Sequence, residues 1–276
     1  MLLALSIILF LILYSSARSQ NLKVIFFDVG QGDAILISQG QNQVLIDGGK
    51  DGKIILEKLG RYIPFWDRTI EAVIATHPDQ DHIGGLVDAV KNYKVGAVLE
   101  TGAKSDSQTY KTLEDLIGGK NIQKIEAIKD TSIKFPDGAR IDVLYPFSSI
   151  DNAGSNSNDW SIVAKLTFGK NKVLFTGDLP AEKEAELANS KSDVSADVLK
   201  VAHHGSKYAT SEEFLNAIGP EEAVISVGKN NSYGHPAPEV IERLLKSGIR
   251  IWRTDEMGDI KYVCTNPEAQ CAIVAN

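Results

Sequence analysis

Four side chains able to ligate a divalent cation fall within six residues of Thr76-His77-Pro78-Asp79-Gln80-Asp81-His82-Ile83-Gly84-Gly85: His77, Asp79, Asp81 and His82. Imidazole and carboxylate are the usual donors for such ions. In an extended loop alternate side chains share a side, which lets His77, Asp79 and Asp81 converge and turns His82 toward a second ion. Two cations a few Å apart activate water and stabilise both the attacking and the leaving oxygen of a hydrolysis. The chain has five histidines, His77, His82, His203, His204 and His235. All lie in segments punctuated by Gly or Pro and none on a periodic apolar face, a distribution that a merely solvated acidic turn leaves unexplained. Two further sources of ligands follow apolar runs. Asp178 comes after Gly177 and either caps the next helix or bridges two ions, and His203-His204 precedes Gly205 as a ligand pair or two adjacent surface histidines.

These residues need elements to position them. Glu71 to Ala75 reads as a buried strand, and Gly84-Gly85 leads into helical spacing from Leu86, so the ligands are expected on a strand-to-helix loop. Strands are expected at Leu22 to Phe27, Ala34 to Ser38 and Gln43 to Ile46, and again at Val95 to Leu99, Ile122 to Ile128, Ser132 to Phe135 and Ile141 to Leu144. Later ones are expected at Ser161 to Phe168, Lys172 to Thr176, Asp197 to Val201, Ala223 to Val227, Ile249 to Trp252 and Ile260 to Cys264. Helices are expected at Lys53 to Tyr62, Ser107 to Ile117 (with Gly118-Gly119 past its end), Ala181 to Ala188 and Pro238 to Lys246. Ser148 to Asn158 is a polar loop. The alternation, broken by adjacent strand runs, predicts an α/β (α+β) fold of two mixed sheets flanked by helices.

With 276 residues and 43% apolar content the chain holds one large domain, expected over residues 20–276. A net charge of −7 excludes a basic nucleic-acid footprint over the whole surface and leaves room for a local one. Leu2 to Tyr14 is an apolar run of signal-peptide length, too short to span a bilayer. Ala17 and Ser19 suit cleavage before Gln20, yet no Lys or Arg precedes the run. Residues 1–19 are therefore expected to be either a signal peptide or an N-terminal membrane anchor, the body secreted or held at the outer face of the cytoplasmic membrane. Cys264 and Cys271 flank a hairpin turn and are either a disulfide, which an oxidising compartment permits, or two unrelated thiols.

The loop at His77 resembles the His-x-His-x-Asp-His signature of the metallo-β-lactamase superfamily, with Asp79 at the second His position. Around it, Phe27-Asp28-Val29-Gly30-Gln31-Gly32-Asp33-Ala34, Leu45-Ile46-Asp47-Gly48-Gly49, Phe175-Thr176-Gly177-Asp178, His203-His204-Gly205-Ser206 and Tyr233-Gly234-His235-Pro236 occur in order. Together they resemble the extracellular hydrolase domain of ComEC-type DNA-uptake proteins over roughly residues 22 to 264. The resemblance implies an αββα sandwich with two divalent metal ions at one edge. His77 and Asp79 would hold the first ion, Asp81 and His82 the second, and Asp178 would bridge them. His203, in preference to His204, would complete a site, with Asp47 orienting a ligand and Gln31 and Asp33 as additional candidates. The superfamily's third-motif His has no counterpart, and Asn158-Asp159 is the region expected to substitute. A carboxylate at Asp79 shifts the expected metal from a pure zinc preference toward manganese, with magnesium as a further option. It also favours a substrate that brings its own oxygens, such as a phosphodiester. Asp81, His235, Lys229 and Lys207 are the expected catalytic group, with Arg253 as a further phosphate contact. ComEC-type proteins carry many membrane spans, whereas this chain looks like a free-standing form of the domain. The implied function is an exported DNase working beside a DNA-uptake channel. Competing readings are a hydrolase of a small ester, lactam or cell-wall phosphodiester, and a DNA-binding module that does not cut.

Overall fold

The computed structural model describes residues 21–150 and 156–274. The expected signal or anchor segment and the middle of the 148–158 loop lie outside the described residues. The chain opens with an antiparallel meander, β1 (Leu22–Phe26), β2 (Ile35–Gln39) and β3 (Asn42–Ile46). Helix α1 (Gly52–Tyr62) leads to β4 (Thr69–Ala75), α2 (Gln80–Asn92) to β5 (Lys94–Glu100), and α3 (Gln108–Gly119) to β6 (Gln123–Glu126). These strands run parallel from β3 to β6. A second sheet begins antiparallel with β7 (Ser132–Lys134), β8 (Arg140–Tyr145), β9 (Val163–Phe168) and β10 (Asn171–Phe175). It continues parallel through α4 (Ala181–Ala188), β11 (Val198–Lys200), α5 (Glu212–Ile218), β12 (Glu222–Ile225), α6 (Pro238–Lys246) and β13 (Arg250–Arg253). After a one-turn helix α7 (Thr254–Met257) the chain returns to the first sheet with β14 (Ile260–Cys264) and β15 (Ala272–Val274). The sheet orders are β15-β14-β1-β2-β3-β4-β5-β6 and β13-β12-β11-β10-β9-β8-β7.

Alternation along each strand explains why these runs read as continuously apolar. In the first sheet Val24, Phe26, Ile35, Ile37, Val44, Ile46 and Ile74 face the second sheet, and Ile25, Leu36, Leu45 and Val73 face the helices α1 to α3. A sheet covered on both faces has no polar side to show. The second sheet repeats the arrangement, with Val173, Phe175 and Val224 toward the centre and Leu174, Leu199 and Ile225 beneath the outer helices. The core thus forms one layer between the sheets and one under each set of helices. Cys264 and Cys271 are joined as a disulfide that closes the β14–β15 hairpin.

The largest departure from expectation lies at the ligand loop. Helix α2 starts at Gln80, with Asp79 at its N-cap, so Asp81 and His82 occupy its first turn. Gly84 and Gly85 are inside the helix, because there a Cβ would collide with the carbonyls of Lys50 and Gly48. The Gly85 N–H donates to Gly49 O at 2.8 Å and Gly48 N–H to His82 O at 2.7 Å, which seats the helix against the turn after β3. These glycines mark a close approach of two backbones, where sequence reading takes them for the punctuation between loop and helix. Likewise Gly118 and Gly119 sit in the last turn of α3. Helices α5 and α7 were not expected at all. The first is short and starts from a Ser211 N-cap, the second is four residues long, and neither carries a full apolar period.

Candidate metal centre

The carboxyl ends of β1, β3, β4, β10, β11 and β12 meet at one edge of the sandwich, and their following turns carry the candidate ligands. Asp178 is the hub. Its Oδ2 lies 3.9 Å from His77 Nε2, 3.3 Å from His82 Nε2, 3.7 Å from His203 Nε2 and 3.5 Å from His204 Nε2. It is held by Ser161, whose hydroxyl accepts from the Asp178 backbone N–H at 3.1 Å. Three of the imidazoles are anchored through their other nitrogen. Thr76 Oγ1 donates to Asp47 Oδ2 at 2.7 Å, leaving a lone pair for His77 Nδ1 at 3.0 Å. His82 Nδ1 donates to the same Asp47 oxygen at 2.8 Å, and His204 Nδ1 to the Ser226 carbonyl at 3.0 Å. Asp47 is fixed in turn by the Thr76 N–H on its Oδ1 at 2.8 Å. An N–H spent on a backing acceptor fixes the tautomer and frees the opposite nitrogen for a cation.

The freed atoms are the test of fit. His77 Nε2, His82 Nε2, His204 Nε2 and Asp178 Oδ1 are buried with no hydrogen-bond partner among the described residues. Buried polar atoms are nearly always paired, so a convergent set of unpaired ones fits a group of opposite demand. Two donor sets, each with its ligand atoms within 4.8 Å of one another, share His82: His77 with His82 and Asp178, and Asp81 with His82 and His204. A third joins Asp33, Asp178 and His204. Imidazole nitrogen plus carboxylate oxygen suits zinc, manganese or iron.

The electrostatics agree. Burial penalises every charge here, yet His204 is pushed up to about 9 by the Asp178 and Asp33 carboxylates. Against the same penalty, Asp178 and Asp47 raise His82 well above its ordinary value. Burial, helped by the neighbouring His82, lowers His77 to about 4. Asp178 and Asp81 are held well below the usual carboxylate range, against burial, chiefly by His204 and His82. The acids of the centre draw positive charge onto His82 and His204, and a divalent cation would satisfy the same field while displacing those protons.

The other expected residues are placed unequally. Asp79 is 44% exposed; its Oδ2 stands 3.8 Å from His77 Nε2 and its Oδ1 accepts from the Ser157 hydroxyl at 2.6 Å. From the region expected to replace the third-motif histidine it is thus Ser157 that reaches Asp79. Asn158 Oδ1 is buried without a partner among the described residues, and Asp159 is turned onto Asn156. Asp33 is paired through Oδ2 with the fully buried Lys200, and its Oδ1 lies 3.4 Å from His204 Nδ1. Gln31 Oε1 accepts from the Gly228 N–H and ties two loops together. Of the histidine pair, both rings approach Asp178, His203 Nε2 at 3.7 Å and His204 Nε2 at 3.5 Å. His204 joins Asp81 and His82, whereas the half-buried His203 ring packs 5.7 Å from that of His235. Both histidines have positive φ, 49° and 54°, a strained turn of the kind that clusters at functional sites.

His235 Nδ1 is buried, and burial with the neighbouring His203 lowers its pKa. Lys207 and Lys229 are exposed, the former with Nζ 5.0 Å from the Tyr208 ring centre. Arg253, expected as a further phosphate contact, pairs with Asp255 at 2.6 Å and Glu256 at 2.9 Å. Sequence reasoning missed Lys200, Thr76, Ser157, Ser161 and Ser226. Only Lys200 carried a signal, a cation closing a buried apolar strand just before the histidine pair.

The family model described as the metallo-beta-lactamase superfamily matches residues 27–229. Among curated relatives, ComE operon protein 3 of Bacillus subtilis is 34% identical over 92% of this chain and 34% of its own length. Recombination protein 2 of Haemophilus influenzae is 30% identical over 91% of this chain and 30% of its own length. The chain spans about a third of the length of these relatives. Among solved structures, the metallo-beta-lactamase fold protein YhfI of Bacillus subtilis aligns with a TM-score of 0.58 at 14% identity, covering 88% of this chain and 100% of that one.

Proposed function

The chain belongs to the metallo-β-lactamase superfamily, and we propose that this member is a metal-dependent phosphodiesterase that cuts DNA outside the cytoplasmic membrane. The observation that carries the reading is the convergence of three anchored imidazoles and Asp178 on one space, with Asp79 and Asp81 opening it toward solvent. The oxygen-rich rim suits hard cations and a substrate with phosphoryl oxygens. The name of the Haemophilus influenzae relative speaks of recombination, which handles DNA. The Cys264–Cys271 disulfide supports export, since such bonds persist where the surroundings are oxidising. A channel partner and a membrane attachment through the first residues belong to the same proposal.

His77, Asp79 and Asp178 would hold one ion, and Asp81, His82, His204 and Asp178 the other. When bound, such ions supply Lewis-acid polarisation and a more acidic water. The chain does the rest. Asp81, kept ionised by His204 and His82, serves as a ligand and orienting acceptor; so depressed a carboxylate is a poor general base. His235, kept neutral, offers a ring N–H to a phosphoryl oxygen and so positions the scissile group. Lys207 and Lys229 stand on the loops beside this opening and hold flanking phosphates through a salt-sensitive attraction.

The test is incubation of the purified protein with single- and double-stranded DNA and with bis(p-nitrophenyl) phosphate, under manganese, zinc, magnesium or EDTA. Metal-dependent cutting that Asp81→Ala removes supports the proposal. A loaded centre that cuts none of these leaves a small ester or lactam as substrate, and salt-sensitive DNA binding that survives EDTA without cutting indicates a binding module.

A further inference from the structure

The opposite end of the first sheet carries a surface that hydrolysis does not use. Strands β4, β5 and β6 begin there at Thr69, Lys94 and Gln123, and β1 begins there too, because Leu22 lies opposite Gln39 and Gln39 opposite Asn42. The turn between α1 and β4 presents Phe65 and Trp66, 81% and 69% exposed, with ring centroids 4.8 Å apart and edge to face. No large apolar side chains among the described residues are more exposed. Arg61, in the last turn of α1, turns to Glu57 and Asp259, while Arg68, Lys91, Lys94 and Lys120 are exposed around the aromatic pair. They form one belt: Arg68 lies 5.4 Å from the centre of the Tyr93 ring, Lys94 N–H donates to Arg68 O, and Lys120 Nζ donates to the carbonyls of Val90 and Lys91. The nearby acids are engaged, Glu57 with Arg61, Asp88 with Lys91, and Asp67 with the Thr69 N–H and Gln43.

We propose that this surface rests in the headgroup layer of an anionic phospholipid bilayer, with Phe65 and Trp66 inserted and the metal centre facing away. Amphipathic aromatic rings favour the membrane–water interface, and a ring of cations favours anionic lipid. What points to a bilayer in preference to another protein is where the rest of the chain enters. The apolar run Leu2 to Tyr14 lies outside the described residues and joins the fold at Leu22. Seven residues, Ser15 to Asn21, intervene, enough to reach about 24 Å when extended. From β1 to β4 is three strand spacings, about 14 Å. The apolar run and the aromatic pair therefore lie within reach of one plane. The seven-residue β4 then sets the metal centre about 23 Å beyond it.

The test uses the full chain on vesicles of phosphatidylcholine with or without phosphatidylglycerol, some carrying brominated acyl chains. Quenching of tryptophan emission is the readout, Trp160 and Trp252 remaining as internal controls. The wild type is expected to be quenched on anionic vesicles, and Trp66→Leu to lose most of that quenching while keeping its thermal midpoint. Arg68→Glu with Lys94→Glu is expected to cut quenching several-fold on anionic vesicles only. Failure to bind vesicles, or equal quenching in Trp66→Leu, overturns the proposal. So does protection of Trp66 from acrylamide in lipid-free protein that rises with protein concentration, which makes a second copy the occupant.

Discussion

The metal centre has two parts that differ in burial. The inner part, His77, His82, Asp178 and His204, is between 0% and 3% exposed, and each member is backed by a hydrogen bond to a residue behind it. The outer part, Asp79, Asp81, His203 and His235, stands at the opening, with Asp79 side-chain exposure at 44% and Asp81 at 30%. Rigid, desolvated donors hold cations in a fixed geometry; groups that face solvent can meet a substrate. Burial thus separates anchored donors from groups that can also meet a substrate, with Asp79 and Asp81 proposed as ligands that face both ways, and that division is open to direct attack.

Asp178→Ala attacks it hardest. Removing the carboxylate that His77, His82, His203 and His204 all approach would take away the proposed bridge between the two ions. Loss of both ions and at least a thousandfold fall in turnover are expected, read by metal analysis of the dialysed protein and by steady-state kinetics. Retention of full metal content would falsify the bridging role. At the opening, His235→Ala is expected to keep its metal and lose turnover about a hundredfold. A parallel loss of metal in that variant would erase the distinction between the two parts. Asp47→Ala lies between them: it never meets substrate, yet it releases the His82 ring, and metal affinity is expected to fall about 10–100-fold, measured by competition with a chromogenic chelator.

How much of this was legible follows the same division. Most residues proposed to hold the ions are clustered in sequence, and His77, Asp79, Asp81 and His82 stand out for that reason, while Asp178 stands out as a lone acid after Gly177 at a strand end. Residues that back them are ordinary. Thr76 and Ser226 act from a side chain and a backbone carbonyl that no motif requires, and Ser157 becomes relevant only when the loop folds over Asp79. The different burial of His203 and His204 goes with a left-handed turn, which adjacent residues of the same type do not announce. In the fold, buried strands are plain as apolar runs. The start of α2 was missed because Gly84 and Gly85 serve a contact between backbones distant in sequence.

Proton competition sharpens the comparison further. His204 is raised to about 9 without a cation, so it carries a proton throughout the neutral range and a cation must expel it. Apparent metal affinity is expected to rise about tenfold per pH unit up to pH 9 for each proton released, and to flatten above it. Calorimetry in buffers of different ionisation heat counts those protons. The sign for stability is opposite. A histidine whose folded pKa is raised stabilises the metal-free protein below pH 6.5 and loses that contribution as pH climbs through 9. Metal-free protein therefore softens across this window, and the gain in thermal midpoint on loading should widen. A gain that narrows toward pH 9 would remove His204 from the inner part.

The smallest effect belongs to the rim of the opening, where Lys207 is exposed on the loop after His204 with its ammonium near the Tyr208 ring. An exposed cation that meets a phosphate acts mostly by counterion release. Lys207→Ala is expected to raise KM for DNA a few-fold, leave kcat and metal content alone, and reduce the salt slope of DNA binding by about one. The same variant should hydrolyse bis(p-nitrophenyl) phosphate normally, because that substrate brings no flanking phosphate. If both substrates suffer equally, Lys207 reaches the reacting group itself, and the boundary between holding and reacting runs further out than burial draws it.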